Sequence, residues 1–111
     1  MSIVAVVGDC TTTTALALAA AWPSEHEAVV LEADRTGGSL AAWLGTPVSP
    51  SLSTIVANSA AHGATPSTAW CAVDAMVRDA PSGTRFIAAP VRSRAASRAL
   101  SEAGSTLFPL L

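Results

Sequence analysis

Ile3-Val4-Ala5-Val6-Val7-Gly8-Asp9-Cys10-Thr11-Thr12-Thr13-Thr14-Ala15-Leu16-Ala17-Leu18-Ala19-Ala20-Ala21-Trp22 is the stretch on which the fold turns. Its opening is a continuous apolar run rich in β-branched residues, the pattern of a strand buried on both faces of a parallel sheet. Gly8-Asp9-Cys10 breaks that run. The alanines and leucines from 15 to 22 favour a helix, which Pro23 stops, and one of the early threonines is a natural N-cap. Strand, glycine turn and threonine-opened helix are the parts of a phosphate-binding loop. In such a loop backbone N–H groups and the helix N-terminus face the anion, and a first-turn hydroxyl can ligate Mg²⁺. Two parts are missing, a second glycine and the lysine. All six basic residues of the chain are arginine, so no lysine exists to reach the phosphates.

Downstream, Ala28-Val29-Val30-Leu31 reads as a second buried strand and ends in Glu32-Ala33-Asp34. Arg35 to Gly38 form a turn, and Ser39 to Leu44 a short helix closed by Gly45. Helices are predicted over about 52–61 and 68–77, with Leu52, Ile55 and Val56 on one face of the first and Trp70, Val73 and Val77 on one face of the second. Ala80-Pro81-Ser82-Gly83 is a turn, 84–89 a third strand, and 93–103 an Ala- and Arg-rich helix closed by Gly104. Strands separated by helical segments predict an α/β fold, a parallel sheet with flanking helices. The apolar tail from Leu107 to Leu111 either docks into the core, covers a partner or marks a chain cut short.

With 111 residues the chain suits one domain, and half of it is apolar, enough to bury a core. Six basic against eight acidic residues leave a net charge of −2, which argues against non-specific nucleic-acid binding. Arg85, Arg92, Arg94 and Arg98 gather in the C-terminal third, either as the polar face of a helix and its approach or as a site for a small anion or acidic partner. Cys10 and Cys71 have no CxxC spacing, and the N-terminal apolar run is too short for an export signal or a membrane span. A cytoplasmic location with both thiols free is expected. His26 and His62 read as surface-loop residues without metal spacing. There is no Ser-His-Asp set or Cys-His pair in motif context.

Thr12-Thr13-Thr14-Ala15-Leu16-Ala17-Leu18-Ala19-Ala20-Ala21, then Val29-Val30-Leu31-Glu32-Ala33-Asp34, then Gly37-Gly38-Ser39-Leu40-Ala41 resembles the MinD/ParA family of deviant P-loop ATPases over residues 3–45. It is closest to a high-GC bacterial branch in which the loop lysine is often missing and the second motif reads E-A-D-x-x-G-G. The resemblance implies a P-loop NTPase-like domain occupying residues 1–111, its N-terminal half only, since the Walker B strand is absent. By position it places Thr12 on the Mg²⁺-ligating hydroxyl, Thr11 on the loop lysine, Cys10 on the preceding glycine and Gly8 on an earlier one. Gly8, Cys10, Thr11, Thr12 and Thr13 become the nucleotide-binding residues. Thr12, Glu32 and Asp34 become the Mg²⁺ site, and Asp34 also the residue that helps position the attacking water. Mg-ATP is the implied cofactor, and a partitioning or positioning system the implied setting.

Two functions are therefore expected from the sequence. One is a weak nucleotide binder or pseudo-ATPase, because loss of the lysine removes electrostatic stabilisation of the transferred phosphate and Asp9 opposes a triphosphate. The other is a non-catalytic interaction module that dimerises or binds a partner protein through its tail and tryptophans. The acids carry the same duality: Glu32 and Asp34 are either inherited site residues at a strand's carboxyl end, or they are solvated or cap the next helix. Cys10 is either a low-pKa thiol at a helix N-terminus or a small buried filler. Trp22, Trp43 and Trp70 read as core or interface anchors, and Trp43 with Leu44 could instead face a partner.

Overall fold

A computed structural model of the chain describes residues 4, 6, 11–23, 25–61, 65–81 and 83–110. The loop residues Gly8 and Cys10, His62 and the side chain of Trp70 lie outside the described part, as does most of the expected first strand. Val4, which is described, is exposed.

Helix α1 spans Thr11–Ala20, so Thr11 to Thr14 form its first turn, and the chain leaves it before Pro23 as the alanine run predicts. Strand β1, Val29–Leu31, follows, then the four-residue helix α2, Leu40–Trp43. Gly45 adopts a positive φ of 64° and closes α2. Its N–H donates to the Ala42 carbonyl, and the Thr46 N–H donates to that of Ala41. This paired arrangement satisfies the orphan carbonyls of a helix end. Helices α3, Leu52–Ala61, and α4, Pro66–Met76, lead to strands β2, Arg78–Asp79, and β3, Arg85–Ile87. Proline at the first position of α4 forfeits only an N–H that would have had no helical partner.

The sheet has the order β1-β3-β2. β1 runs parallel to β3, with Val30 opposite Phe86, whereas β2 is antiparallel to β3. The sheet is thus mixed, not all-parallel as the sequence suggests. The cause is local: Ala80 and Thr84 bracket a tight turn in which the Gly83 N–H donates to the Ala80 carbonyl at 2.8 Å, and a hairpin so short can only return antiparallel. A two-residue polar strand carries no alternation to betray it.

β3 is the central strand, and Phe86, Ile87, Ala88 and Ala89 are all buried. Alternation divides them between two cores. Phe86 and Ala88 pack with Leu40, Ala41 and Ala80 and touch Leu16 of α1 and Val30 of β1. Ile87 joins Leu52, Ile55, Val56, Ala69 and Val73 from α3 and α4. The sheet therefore carries helices on both faces, a mixed α/β architecture. β1 is more open than its composition suggests, with Val29 and Leu31 each more than a third exposed.

The last helix, α5, covers Ser93–Glu102; it buries Ala96 and Ala99, the latter in the core built by α3 and α4. Gly104 does not stop it. The chain runs on through a π-helical turn, Ala103–Leu107, and a 3₁₀ turn, Phe108–Leu110. Ala103 and Leu107 are buried in the α3–α4 core, and keeping them there requires helical continuation past the glycine. The Ser105 and Thr106 hydroxyls donate back to the Ser101 and Glu102 carbonyls, the kind of competing bond that loosens a helix. Of the three readings open for the tail, docking into the core describes Leu107, which is buried, and Phe108 and Leu110, which pack half-buried against it, while Pro109 is exposed. Among the described residues no helix is long and apolar enough to cross a membrane.

Candidate functional site

At the carboxyl end of β1 the chain turns through Glu32-Ala33-Asp34-Arg35-Thr36-Gly37-Gly38 before entering α2. The Glu32 N–H donates to the Ile87 carbonyl at 3.0 Å, prolonging the parallel ladder by one bond. Its side chain then gathers three backbone donors. Oε1 accepts from the N–H groups of Ser39, at 2.7 Å, and Leu40, at 3.0 Å. Oε2 accepts from the Ala89 N–H at 3.0 Å. Ser39 is the N-cap of α2 and makes no side-chain capping bond of its own, so Glu32 supplies the acceptors that the helix N-terminus needs. Its negative charge also suits that end of the helix. One carboxylate thereby ties together β1, α2 and the segment leaving β3.

Asp34 is engaged more locally. Its Oδ1 accepts from the Thr36 hydroxyl at 2.6 Å and from the Thr36 N–H at 2.8 Å, a side-chain turn that mimics a backbone one. The hydroxyl bond, followed by the amide bond, holds the Asp34 carboxyl below its ordinary pKa. Because the folded value is depressed, the turn contributes stability above the unfolded carboxylate pKa of about 3.9 and loses it as pH falls through the folded value. We expect a carbon-detected NMR titration of Asp34 to show a midpoint below that of an unfolded aspartate, and Thr36→Val to move it back up. A midpoint at or above the ordinary value would contradict the turn.

The two glycines complete the geometry. The Gly38 N–H donates to the Pro90 carbonyl at 2.8 Å, and a Cβ added to Gly38 would lie 2.5 Å from both the Ala89 carbonyl oxygen and Glu32 Oε2. A Cβ on Gly37, where φ is 119°, would meet the Val91 carbonyl oxygen at 2.2 Å. The 32–38 turn is thus laid directly on the 89–91 backbone that leads into α5, an approach only glycine permits.

No protein-family model, no curated protein and no solved structure matches the chain.

Of the residues the sequence singles out, Thr11, Thr12 and Thr13 lie in the first turn of α1, Thr11 and Thr12 half-buried and Thr13 exposed. Glu32 and Asp34 share the turn after β1. Among the described residues no three His, Cys, Asp or Glu side chains gather as a metal site would need. Glu32 already spends three of its acceptor directions on backbone N–H groups, so the helix-capping alternative describes what its carboxylate does. Trp43 is exposed at 66%, and Cys71 is a free, exposed thiol.

Two arginines acquire roles that spacing does not reveal. Arg85, at the start of β3, pairs with Glu27 at 2.8 Å and Asp74 at 3.3 Å, and Asp79 lies 4.0 Å away. It links the approach to β1 with α4 and β2. Arg78 lies 4.9 Å over the Phe86 ring and donates to the Pro47 and Ser49 carbonyls. Its contacts pin the loop before α3 to the sheet. Neither partnership involves neighbours in sequence, so no local pattern could announce it.

Proposed function

We propose that this chain is a ParA/MinD-like phosphate-loop module that binds Mg-ATP weakly and turns it over poorly or not at all. The observation that carries the reading is the placement of the acidic turn. Glu32 and Asp34 sit at the carboxyl end of β1, a strand that pairs in parallel with β3 and packs beside α1, the helix that opens with four threonines. Ligand sites of α/β folds form at that edge. The absence of any lysine from the chain weighs against efficient phosphoryl transfer. The capping duty of Glu32 leaves Asp34 and Thr12 as the residues nearest in kind to a Mg²⁺ site. In this reading the chain serves a partitioning or positioning system.

A second reading, a non-catalytic interaction module that dimerises or binds another protein, is favoured by the exposure of Trp43. An aromatic two-thirds in solvent is a typical interface anchor. One experiment separates the two. In titration of the chain with labelled Mg-ATP we expect saturable binding in the millimolar range that Thr12→Ala weakens. Binding indifferent to Thr12→Ala, or none, removes the nucleotide reading, and a nucleotide-independent dimer in light scattering then supports the second.

A further inference from the structure

The chain holds six arginines, and the structure divides them. Arg85 is neutralised by its carboxylate partners, and Arg78 is laid on Phe86 and two carbonyls. Three of the other four converge. Arg35, Arg94 and Arg98 line a single shallow groove of about 680 Å³ together with Ser93, Ser97, Ser101 and Glu102. The arginines and serines of α5 recur one helical turn apart, at 94 and 98 and at 93, 97 and 101, so their side chains form two parallel rows. Among the described residues Arg35 and Arg94 make no ion pair, and Arg98 has only Glu102, 3.0 Å away within its own helix.

A solvated polar face would account for Arg94 and Arg98. It does not account for Arg35, which comes from another part of the chain and brings a third like charge to the same groove. Among the described residues no carboxylate pairs with Arg35 or Arg94, so both guanidinium groups are open to an anion. The position of Arg35 is also firmly held. Its turn is stapled by Glu32 to the Ala89 N–H and by the Gly38 N–H to the Pro90 carbonyl, and Gly37 rides on Val91, directly before α5. The motif Glu32-Ala33-Asp34-Arg35-Thr36-Gly37-Gly38 therefore acts as the mount that sets Arg35 against α5.

We propose that this groove binds a small ligand carrying two or more phosphate charges. Guanidinium forks match phosphate oxygens in pairs, and the serine hydroxyls can donate to those remaining. The groove uses no residue of the Thr11–Thr14 turn, so it stands independently of nucleotide binding there.

Inorganic pyrophosphate, titrated by calorimetry into the full chain at low ionic strength, is the direct probe. Saturable binding is expected, weakened about tenfold by Arg35→Gln and about tenfold by Arg94→Gln, the loss of one charge-assisted bond pair each. Glu102→Gln should tighten it by freeing Arg98, and Thr12→Ala should leave it unchanged. Arg35, Arg94 and Glu102 are exposed, and glutamine keeps helix propensity at the two helical positions, so these variants fold. If ATP binding falls in parallel in the two arginine variants, the ligand is the phosphate tail of a nucleotide; if only pyrophosphate binding falls, it is a free polyphosphate. The proposal is overturned if pyrophosphate does not saturate, if both arginine variants bind it as the parent does, or if Thr12→Ala alone abolishes it.

Discussion

Replacing Glu32 by alanine is expected to cost about 3 kcal/mol of folding stability, a large fraction of what a domain of this size possesses. The carboxylate accepts from three backbone N–H groups, and the substitution deprives all three at once. Ser39 is exposed, so water can replace its lost acceptor. Leu40 and Ala89 are buried, and an orphaned buried donor costs about 1–3 kcal/mol. Glu32→Gln should cost less, because the amide oxygen can still serve the α2 N-terminus while its NH₂ group faces the Ala89 N–H. Urea unfolding followed by circular dichroism would show this as a lowered midpoint at unchanged slope. The loss should be the same with and without Mg²⁺, since the acceptors serve the backbone. A change below about 1 kcal/mol would mean that solvent reaches these donors and that the staple is dispensable.

Gly37→Ala is expected to be of similar severity for a different reason. At φ 119° an alanine is strained by its own backbone, at about 1–3 kcal/mol. Its Cβ would in addition lie 2.2 Å from the Val91 carbonyl oxygen, a backbone atom that cannot rotate away. The turn must lift from the 89–91 segment, so we expect a total loss of about 3 kcal/mol or more. Gly45 provides the control. It too has positive φ, 64°, yet nothing lies within 4 Å of an added Cβ, so Gly45→Ala should cost only about 1 kcal/mol of conformational energy. Equal losses at the two positions would show that backbone strain alone matters and that the close approach does not. A variant that lifts the turn should also weaken pyrophosphate binding, because Arg35 moves with it.

These two residues show how far the candidate site was legible in the sequence. The order strand, Glu-x-Asp, Gly-Gly, short helix is visible in the residues, and so is the alternative that Glu32 caps the helix that follows. The third partner of Glu32, the Ala89 N–H, is not visible. It lies 57 positions away and becomes a neighbour only because β1 and β3 pair in parallel. The same holds for Arg35. Its charge is plain in the sequence, but its company on α5 depends on where the turn after β1 comes to rest. Arg94 and Arg98 are legible as a helix face, whereas the groove they share with Arg35 is not.

The wider fold divides along the same line. α1 to α4 and the start of α5 follow from alanine-rich or periodic segments with proline or glycine near their ends, because helix formation is a local matter of propensity and end signals. β3 is recognisable as a run without polar residues from Phe86 to Ala89, as a strand buried on both faces must be. What sequence could not supply is everything that depends on pairing across distance. The hairpin through Gly83 makes the sheet mixed, Arg85 joins Glu27, Asp74 and Asp79, and the chain passes Gly104 as a helix because Leu107 is buried in the core. An α/β chain with an acidic, glycine-rich turn after β1 can be read from the residues in order. That this turn is a clamp emerges from the folded chain alone, because a carboxylate's role depends on which N–H groups distant segments bring within about 3 Å of it.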